Sequence, residues 1–181
     1  MLTNSEIMKN KVIWLLLLFI FSVFNAASAQ DEGQLYSKAV REARSGNRDA
    51  AFMYFRALLA GHPDSKYTEK ALFATGEYYF SVNDNSDAFR AFSRYIDDYP
   101  DSKATAFALM YLLKIAEKQG QESFTKDIEM MIVTLKRLSF LFRESKEYRY
   151  QSPLCRKYRV VYYIDKVEFF IDGEFFAKIS Y

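Results

Sequence analysis

A repeat with a period of 37 residues is the feature that most constrains the fold of this chain. When the sequence is shifted by 37 positions, ten of the 22 residues from 51 to 72 fall on identical residues. The run Pro63-Asp64-Ser65-Lys66, for example, returns as Pro100-Asp101-Ser102-Lys103. A period of about 20 to 50 residues is typical of stacked repeats, because one unit alone cannot bury its apolar face. The chain is therefore predicted to fold as a repeat array.

Each 37-residue unit is predicted to form two helices. Apolar residues in both halves of a unit recur at spacings of three and four, which is the period of an amphipathic helix. Gly46 and the run Asn83-Asp84-Asn85-Ser86 separate the halves, and such residues end one helix and start another. Pro63 and Pro100 separate successive units, because proline cannot continue a helix. We therefore expect helix pairs joined by short turns.

The third unit is predicted to end the array. A first helix over residues 103–118 stops at Gly120, and a longer helix over residues 122–146 follows it. The expected apolar stripe of this last helix consists of Phe124, Ile128, Met131, Leu135, Leu138 and Phe142. The helix departs from the repeat pattern, and a repeat array needs an atypical end to cover its last apolar face.

The repeat resembles the tetratricopeptide repeat (TPR) at the positions that pack its helices together. The matching small, aromatic and proline residues are Ala39, Ala51, Phe55, Pro63, Gly76, Tyr79, Ala88, Phe92 and Pro100. Small residues let two helix backbones approach closely, and the rings fill the space beside them. The resemblance implies a mainly α fold, a TPR-like α-solenoid of helix pairs.

The sequence at the junction between units resembles that of one group of TPR proteins in particular. Tyr99 precedes Pro100-Asp101-Ser102-Lys103, and a junction of this type is similar to that of envelope proteins of Gram-negative bacteria. These include the outer-membrane β-barrel assembly lipoprotein and the periplasmic coordinator of the Tol–Pal system. The resemblance implies a protein-binding role in outer-membrane or envelope assembly.

The C-terminal sequence is predicted to form a small antiparallel hairpin or meander. The period changes to 2, and β-branched and aromatic residues favour strands over residues 158–164, 166–171 and 174–180. Asp172-Gly173 between two apolar runs is the strongest short signal for a hairpin with a type I′ turn. A hairpin alone is marginal in water. We expect it to pack on the long last helix; the repeat array or a partner is the alternative.

The first 29 residues have the pattern of a secretory signal peptide. Lys9 and Lys11 precede an apolar run over residues 12–24, and Ala27-Ser28-Ala29 follows it. Basic, apolar and small residues in this order indicate a cleaved signal. The apolar run is shorter than the roughly 20 residues that span a bilayer; an uncleaved anchor is the alternative. The mature protein is therefore expected in the periplasm, in association with the outer membrane if its partners are there.

The expected organisation thus has three parts. A signal peptide over residues 1–29 precedes a TPR-like helical repeat domain over residues 30–147, and a β extension over residues 148–181 follows. The only cysteine, Cys155, lies in the last part, so we expect no lipid attachment at the signal cleavage site. In an oxidising compartment this odd thiol is either buried or paired with another chain.

Composition and motifs argue against an enzyme. One cysteine and one histidine cannot supply the roughly four ligands of a zinc site of soft donors. His62 lies in a loop before Pro63, and no nucleophile or phosphate-loop motif occurs. The 25 basic and 23 acidic residues leave a net charge of +2, too small to attract nucleic acid. We expect no catalytic residue, no metal and no cofactor.

A binding scaffold is the preferred interpretation, with another envelope protein or peptide as its partner. In TPR proteins the first helices of successive units line a concave groove. The resemblance places the groove at Tyr36, Val40, Arg44, Lys70, Phe73, Glu77, Phe80, Phe107, Met110, Lys114 and Glu117. The C-terminal strands or a neighbouring subunit could fill this groove instead. The oligomeric state is not determined by the sequence.

The alternative function is binding of an anionic envelope component. Arginine, lysine and tyrosine alternate over residues 143–159, between the last helix and the strands. This stretch suits a phospholipid, a lipopolysaccharide or a glycan, with peripheral membrane contact. A solvated charged face whose tyrosines cover the sheet is the default interpretation of the same residues.

The signal peptide generates the first testable prediction. Mass spectrometry of the exported protein should show that it begins at Gln30, since the Ala-x-Ala signal ends at Ala29. The cleaved protein should appear in the periplasmic fraction. Intact Met1 on protein held in the membrane would contradict both expectations.

Overall fold

The computed structural model describes residues 31–135 and 145–181 of the 181-residue chain. The described helices are α1 (Glu32–Arg44), α2 (Arg48–Gly61), α3 (Thr68–Ser81), α4 (Asn85–Asp98), α5 (Thr105–Lys118) and α6 (Glu122–Thr134). The described strands are β1 (Ser145–Gln151), β2 (Lys157–Tyr163), β3 (Lys166–Ile171) and β4 (Glu174–Ser180). The described residues from Glu32 onward form one compact unit. The predicted signal peptide lies outside the described residues.

Three helix pairs follow one another, as the repeat predicts. The turns between the helices of a pair contain Gly46, Asn83 and Gly120, all with positive φ angles of 86°, 61° and 68°. Glycine and asparagine tolerate this left-handed conformation best. The Asn47 side chain accepts a hydrogen bond from the Ala50 amide at the start of α2, and Asp84 does the same for the Asp87 amide in α4. The predicted helix pairs and turns are confirmed.

Small residues of the repeat bring α3 and α4 into close contact. A Cβ atom built on Gly76 would lie 2.8 Å from two ring atoms of Phe92, closer than real Cβ contacts. Ala39, Ala51 and Ala88 are completely buried. Phe55 and Phe92 are also completely buried, Tyr79 is half-buried, and Pro63 and Pro100 lie exposed between units.

The four strands form an antiparallel sheet in the order β1-β2-β3-β4. Asp172 and Gly173 join β3 to β4 with φ angles of 55° and 91°, which fit the predicted type I′ turn. Residues 158–163, 166–171 and 174–180 lie in strands, as predicted. β1 was not predicted, and its residues 145–146 were assigned to the long helix. Its glutamate, lysine and arginine residues favour helices and conceal the alternation of its two tyrosines.

The last helix differs from its predicted apolar stripe. Ile128 and Ile132 are its buried residues, whereas Met131 and Leu135 are exposed. The two buried residues are four positions apart, whereas the predicted stripe continued from Ile128 to Met131. After Ile128 the buried stripe therefore lies one residue later than predicted. Phe124 is half-buried, with its ring centroid 5.7 Å from that of Phe89. Leu138 and Phe142 lie outside the described residues.

Among the described residues the sheet packs mainly on α3 and α5 and not on α6, contrary to the expectation; residues 136–144 of the predicted last helix lie outside the described residues. One sheet face is apolar and buried, with Val160, Val167 and Phe169 in one cluster with α3, α4 and α5. The ring of Phe176 in β4 lies 6.4 Å from Phe80 in α3 and 6.0 Å from Tyr111 in α5. α6 instead packs on α5. The large rings of α3 and α5 offer the sheet more apolar surface than α6 does.

The close contact at Gly76 can be tested against a second helical glycine. Gly76→Leu should lower the free energy of unfolding by about 3 kcal/mol, because four carbons enter a packed interface. Gly61→Leu is the matched control, since no atom lies within 4 Å of a Cβ built there. Urea denaturation of both variants measures the effect. Equal stabilities of the two variants would contradict the α3–α4 packing.

Candidate functional site

The ring of Phe73 lies at the junction of the helices and the sheet. Its centroid is 5.6 Å from that of Phe92 and 5.4 Å from that of Tyr95, both in α4. On the other side it lies 5.2 Å from Tyr150 in β1 and 5.8 Å from Tyr158 in β2. All four pairs are edge-on, the preferred geometry of aromatic rings. Phe73 therefore belongs to the repeat core and to the sheet contact at once.

A buried chain of polar side chains continues from this aromatic contact. The Tyr158 hydroxyl donates a hydrogen bond to Oε1 of Glu77 in α3. The hydroxyl oxygens of Tyr158 and Tyr111 are 2.6 Å apart, so α3, β2 and α5 are linked. Glu77 is 2% exposed, so a partner cannot reach it. Its role in this structure is to hold the sheet on the helices.

Burial changes the proton affinity of Glu77. It raises the pKa of this carboxyl from 4.5 to about 7, against the lowering effects of Tyr158, Ser152, Arg156 and Arg48. The second oxygen, Oε2, has no hydrogen-bond partner among the described residues. Burial also raises the pKa values of Tyr111 and Tyr158, so both hydroxyls keep their protons. An unpaired buried carboxylate is costly, which explains why the neutral form is favoured here.

The loop between β1 and β2 covers the boundary of α1 and α3. Leu154 at its tip is buried in the apolar cluster that includes Leu35, Ala39 and Ala74. The Ser152 amide donates to the Arg156 carbonyl at 3.0 Å, and the Cys155 amide donates to the Ser152 carbonyl at 2.9 Å. Cys155 packs half-buried against the same cluster. This loop, residues 152–156, therefore occupies part of the face on which the groove was predicted.

The predicted groove residues divide into two groups. We call the face of α1, α3 and α5 that carries them the inner face. Phe73, Glu77, Phe107 and Met110 are buried in this structure, and half-buried Phe80 packs against Phe176. Their interpretation as an open groove lining is therefore wrong, because the chain's own sheet covers them. At the far end, half-exposed Lys114 and exposed Glu117 form an ion pair of 2.8 Å.

The remaining predicted residues form an accessible strip. We call it the open strip and define it as Tyr36, Val40, Arg44, Tyr67 and Lys70. The rings of Tyr36 and Tyr67 are stacked with centroids 4.3 Å apart, and Lys70 Nζ lies 5.8 Å from the Tyr36 centroid. Tyr36 and Val40 are half-buried on the apolar cluster of α1 and α3, whereas Arg44 and Lys70 are exposed. The strip therefore has an aromatic and apolar floor with two cations at its surface.

The repeat explains why the strip lies in the first unit. Tyr36, Phe73 and Met110 are successively 37 residues apart and occupy the same repeat position. Phe73 contacts the rings of the sheet, Met110 is buried in the cluster that the sheet shares with the helices, and Tyr36 remains partly exposed. Tyr67, which completes the strip, was missed because its counterpart in the next unit is Ala104. The roles of Tyr158 and Leu154 were missed because no sequence signal shows which face a strand or loop will cover.

In the basic aromatic stretch, Tyr150 and Tyr158 lie on one side of the sheet and Arg149 and Arg159 on the other. Tyr150 and Tyr158 face the helices, as their ring contacts show. Arg149 and Arg159 lie opposite each other on the other face, and both approach Glu147, at 2.5 Å and 3.8 Å. The Arg159 guanidinium also lies 3.8 Å from the Phe170 centroid. These contacts agree with the default interpretation of the stretch.

Residues 31–135 and 145–181 contain neither a cluster of metal ligands nor a membrane-spanning helix. No three potential metal ligands of the His, Cys, Asp or Glu type lie together there. No helix in the same ranges is long and apolar enough to cross a membrane.

Comparison with known protein families identifies the family of this chain. The family model of YfiO, described as an outer membrane lipoprotein, matches residues 28–161. The chain belongs to the YfiO family. The match covers all six described helices, β1 and most of β2, and it supports the TPR-type resemblance and an envelope location. Comparison with curated proteins gives no match.

The buried carboxyl predicts a pH dependence of stability. The folded state keeps a proton on Glu77 up to about pH 7, whereas the unfolded chain releases it near 4.5. The contribution of Glu77 to the free energy of unfolding is therefore fully present below pH 4.5 and is lost as the pH rises through 7. The free energy of unfolding should fall over this window by up to about 1.4 kcal/mol per pH unit.

Glu77→Gln should remove this dependence, because the amide stays neutral and still accepts from Tyr158. Urea denaturation at pH 5 and pH 8 measures the free energy of unfolding of both proteins. The stability of the variant relative to the wild type should be higher at pH 8 than at pH 5. Glu117→Gln, which changes an exposed glutamate of α5, should follow the wild type. If Glu77→Gln also follows the wild type, Glu77 is not a buried neutral carboxyl.

Proposed function

We propose that this protein is a non-enzymatic scaffold of the periplasm that binds another envelope protein at the open strip. Membership of the YfiO family supports a role in outer-membrane assembly through protein interactions. The location of the proposed site rests on one observation, which is that some predicted groove residues of the inner face are covered and others are exposed. The sheet covers its middle, the loop over residues 152–156 packs on the apolar cluster of α1 and α3, and the side chains of the open strip remain partly or fully exposed.

The chemistry of the inner face supports a scaffold rather than an enzyme. The most perturbed carboxyl, Glu77, is sealed between α3 and β2 and bonded to a tyrosine. A general acid or base must reach its substrate by hydrogen bonding, and a group that is 2% exposed does not. The open strip offers stacked rings and cations, which suit recognition of a peptide.

The proposal includes export and cleavage after Ala29. A mature chain from Gln30 would place α1, which begins at Glu32, close to the new N-terminus. The open strip lies on α1 and α3 and would thus be presented near the start of the mature protein.

Site-specific photocrosslinking in cells tests the location of the partner site. A benzoylphenylalanine at position 70 should give discrete adducts with envelope proteins, because Lys70 lies exposed on the open strip. The same residue at position 56 is the matched control, since Arg56 is exposed on α2. Adducts should be several-fold stronger from position 70. Equal adducts from both positions, or none from position 70, would contradict a partner site on the open strip.

A further inference from the structure

We propose that the open strip binds an extended acidic segment of the partner, with carboxylates of the segment paired to Arg44 and Lys70. This inference rests on the proposed scaffold function and names the chemistry of the partner at that site.

The cations of the strip have no acidic partner in the described chain. Neither Arg44 nor Lys70 forms an ion pair with a described residue, although eight such pairs occur elsewhere in the described ranges. Carboxylates close in sequence are engaged away from the strip. Glu42 contacts Arg41 and accepts from Asn47, and Glu69 accepts from Tyr95 and Ser102. The strip thus has positive charge that a ligand can neutralise.

Both cations act on Tyr36, although Arg44 lies eight residues further along α1. Lys70 lies over its ring, and the charge of Arg44 lowers the pKa of its hydroxyl, against the raising effects of burial and of Tyr67. The field at the centre of the strip is therefore positive, and it favours an anionic group beside the tyrosine pair.

The dimensions of the strip suit a short extended segment. Tyr36 and Arg44 are eight residues apart on α1, which corresponds to about 12 Å along a helix. About four residues of extended chain cover this distance. Because alternate side chains of an extended chain face the same side, carboxylates at the first and fifth residues can face the cations while an apolar residue at the third contacts Val40. An acidic segment with an apolar residue between its carboxylates matches this pattern.

The shape of the strip favours a peptide over a membrane surface. Val40 and Tyr36 are half-buried on the cluster formed by α1, α3 and the loop residue Leu154. A single extended chain reaches such partly buried side chains, whereas a flat bilayer meets the outermost residues first. An anionic bilayer nevertheless carries the same charge as an acidic segment, so the test includes it.

Fluorescence anisotropy with a designed probe tests the inference on the folded protein. The probe is a fluorescein-labelled peptide, Gly-Ser-Glu-Ser-Leu-Ser-Glu-Ser, and the comparison peptide carries glutamine in place of each glutamate. The acidic peptide should bind, and binding should weaken with added salt. Arg44→Glu combined with Lys70→Glu should weaken it about tenfold or more. Both residues are exposed, so the thermal unfolding of this variant should match the wild type.

The matched control variant combines Arg56→Glu with Lys126→Glu, which makes the same charge change at exposed positions on α2 and α6. It should bind the acidic peptide like the wild type. Equal affinity for the two peptides, or equal weakening by both variants, would overturn the inference. Binding to phosphatidylglycerol vesicles that depends on Arg44 and Lys70, with no binding of the acidic peptide, would assign the strip to a membrane instead. Crosslinks from position 70 without peptide binding would leave the scaffold function standing and reject only the acidic partner.

Discussion

The contact between Phe73 and the C-terminal sheet is the interaction on which the rest of the structure depends. One completely buried ring packs on α4 through Phe92 and Tyr95 and on the sheet through Tyr150 and Tyr158. The two-helix repeats alone would leave this ring exposed on the inner face. A large exposed apolar patch is unfavourable in water, and the sheet removes it. The sheet in turn buries its apolar face against the helices, so the sheet and the repeats stabilise each other.

The closure of the inner face determines which of the predicted groove residues stay accessible. The sheet covers the second and third units, and Glu77, which would be a ligand residue in an open groove, becomes a neutral group bonded to Tyr158. What remains is the end formed by α1 and the start of α3. The YfiO family match extends through most of β2, and so includes the strand that seals Glu77. A scaffold of this family thus presents a smaller surface here than its repeats alone would suggest.

Much of the fold could be predicted from local signals. The 37-residue repeat, Gly46, Asn83 and the Asp172-Gly173 turn depend on neighbouring residues, and the sequence displays them directly. β1 escaped prediction because its charged residues also suit a helix. The candidate site could be predicted only in part, since a groove position such as Phe73 has the same residue type whether it meets a ligand or the chain's own sheet. The packing of the C-terminal sheet on helices far away in the sequence decides between these outcomes. Neither the periodicity nor the composition of the sequence predicts this packing.

Nuclear Overhauser effects in solution test the closed inner face most directly. The Phe73 ring should show cross-peaks to the Tyr150 and Tyr158 rings, whose centroids lie 5.2 Å and 5.8 Å away. Cross-peaks from Phe73 to Phe92, at 5.6 Å, serve as the internal reference for the helix packing. The account predicts both sets at comparable intensity. Cross-peaks to Phe92 without any to Tyr150 or Tyr158 would show an open groove and contradict the account.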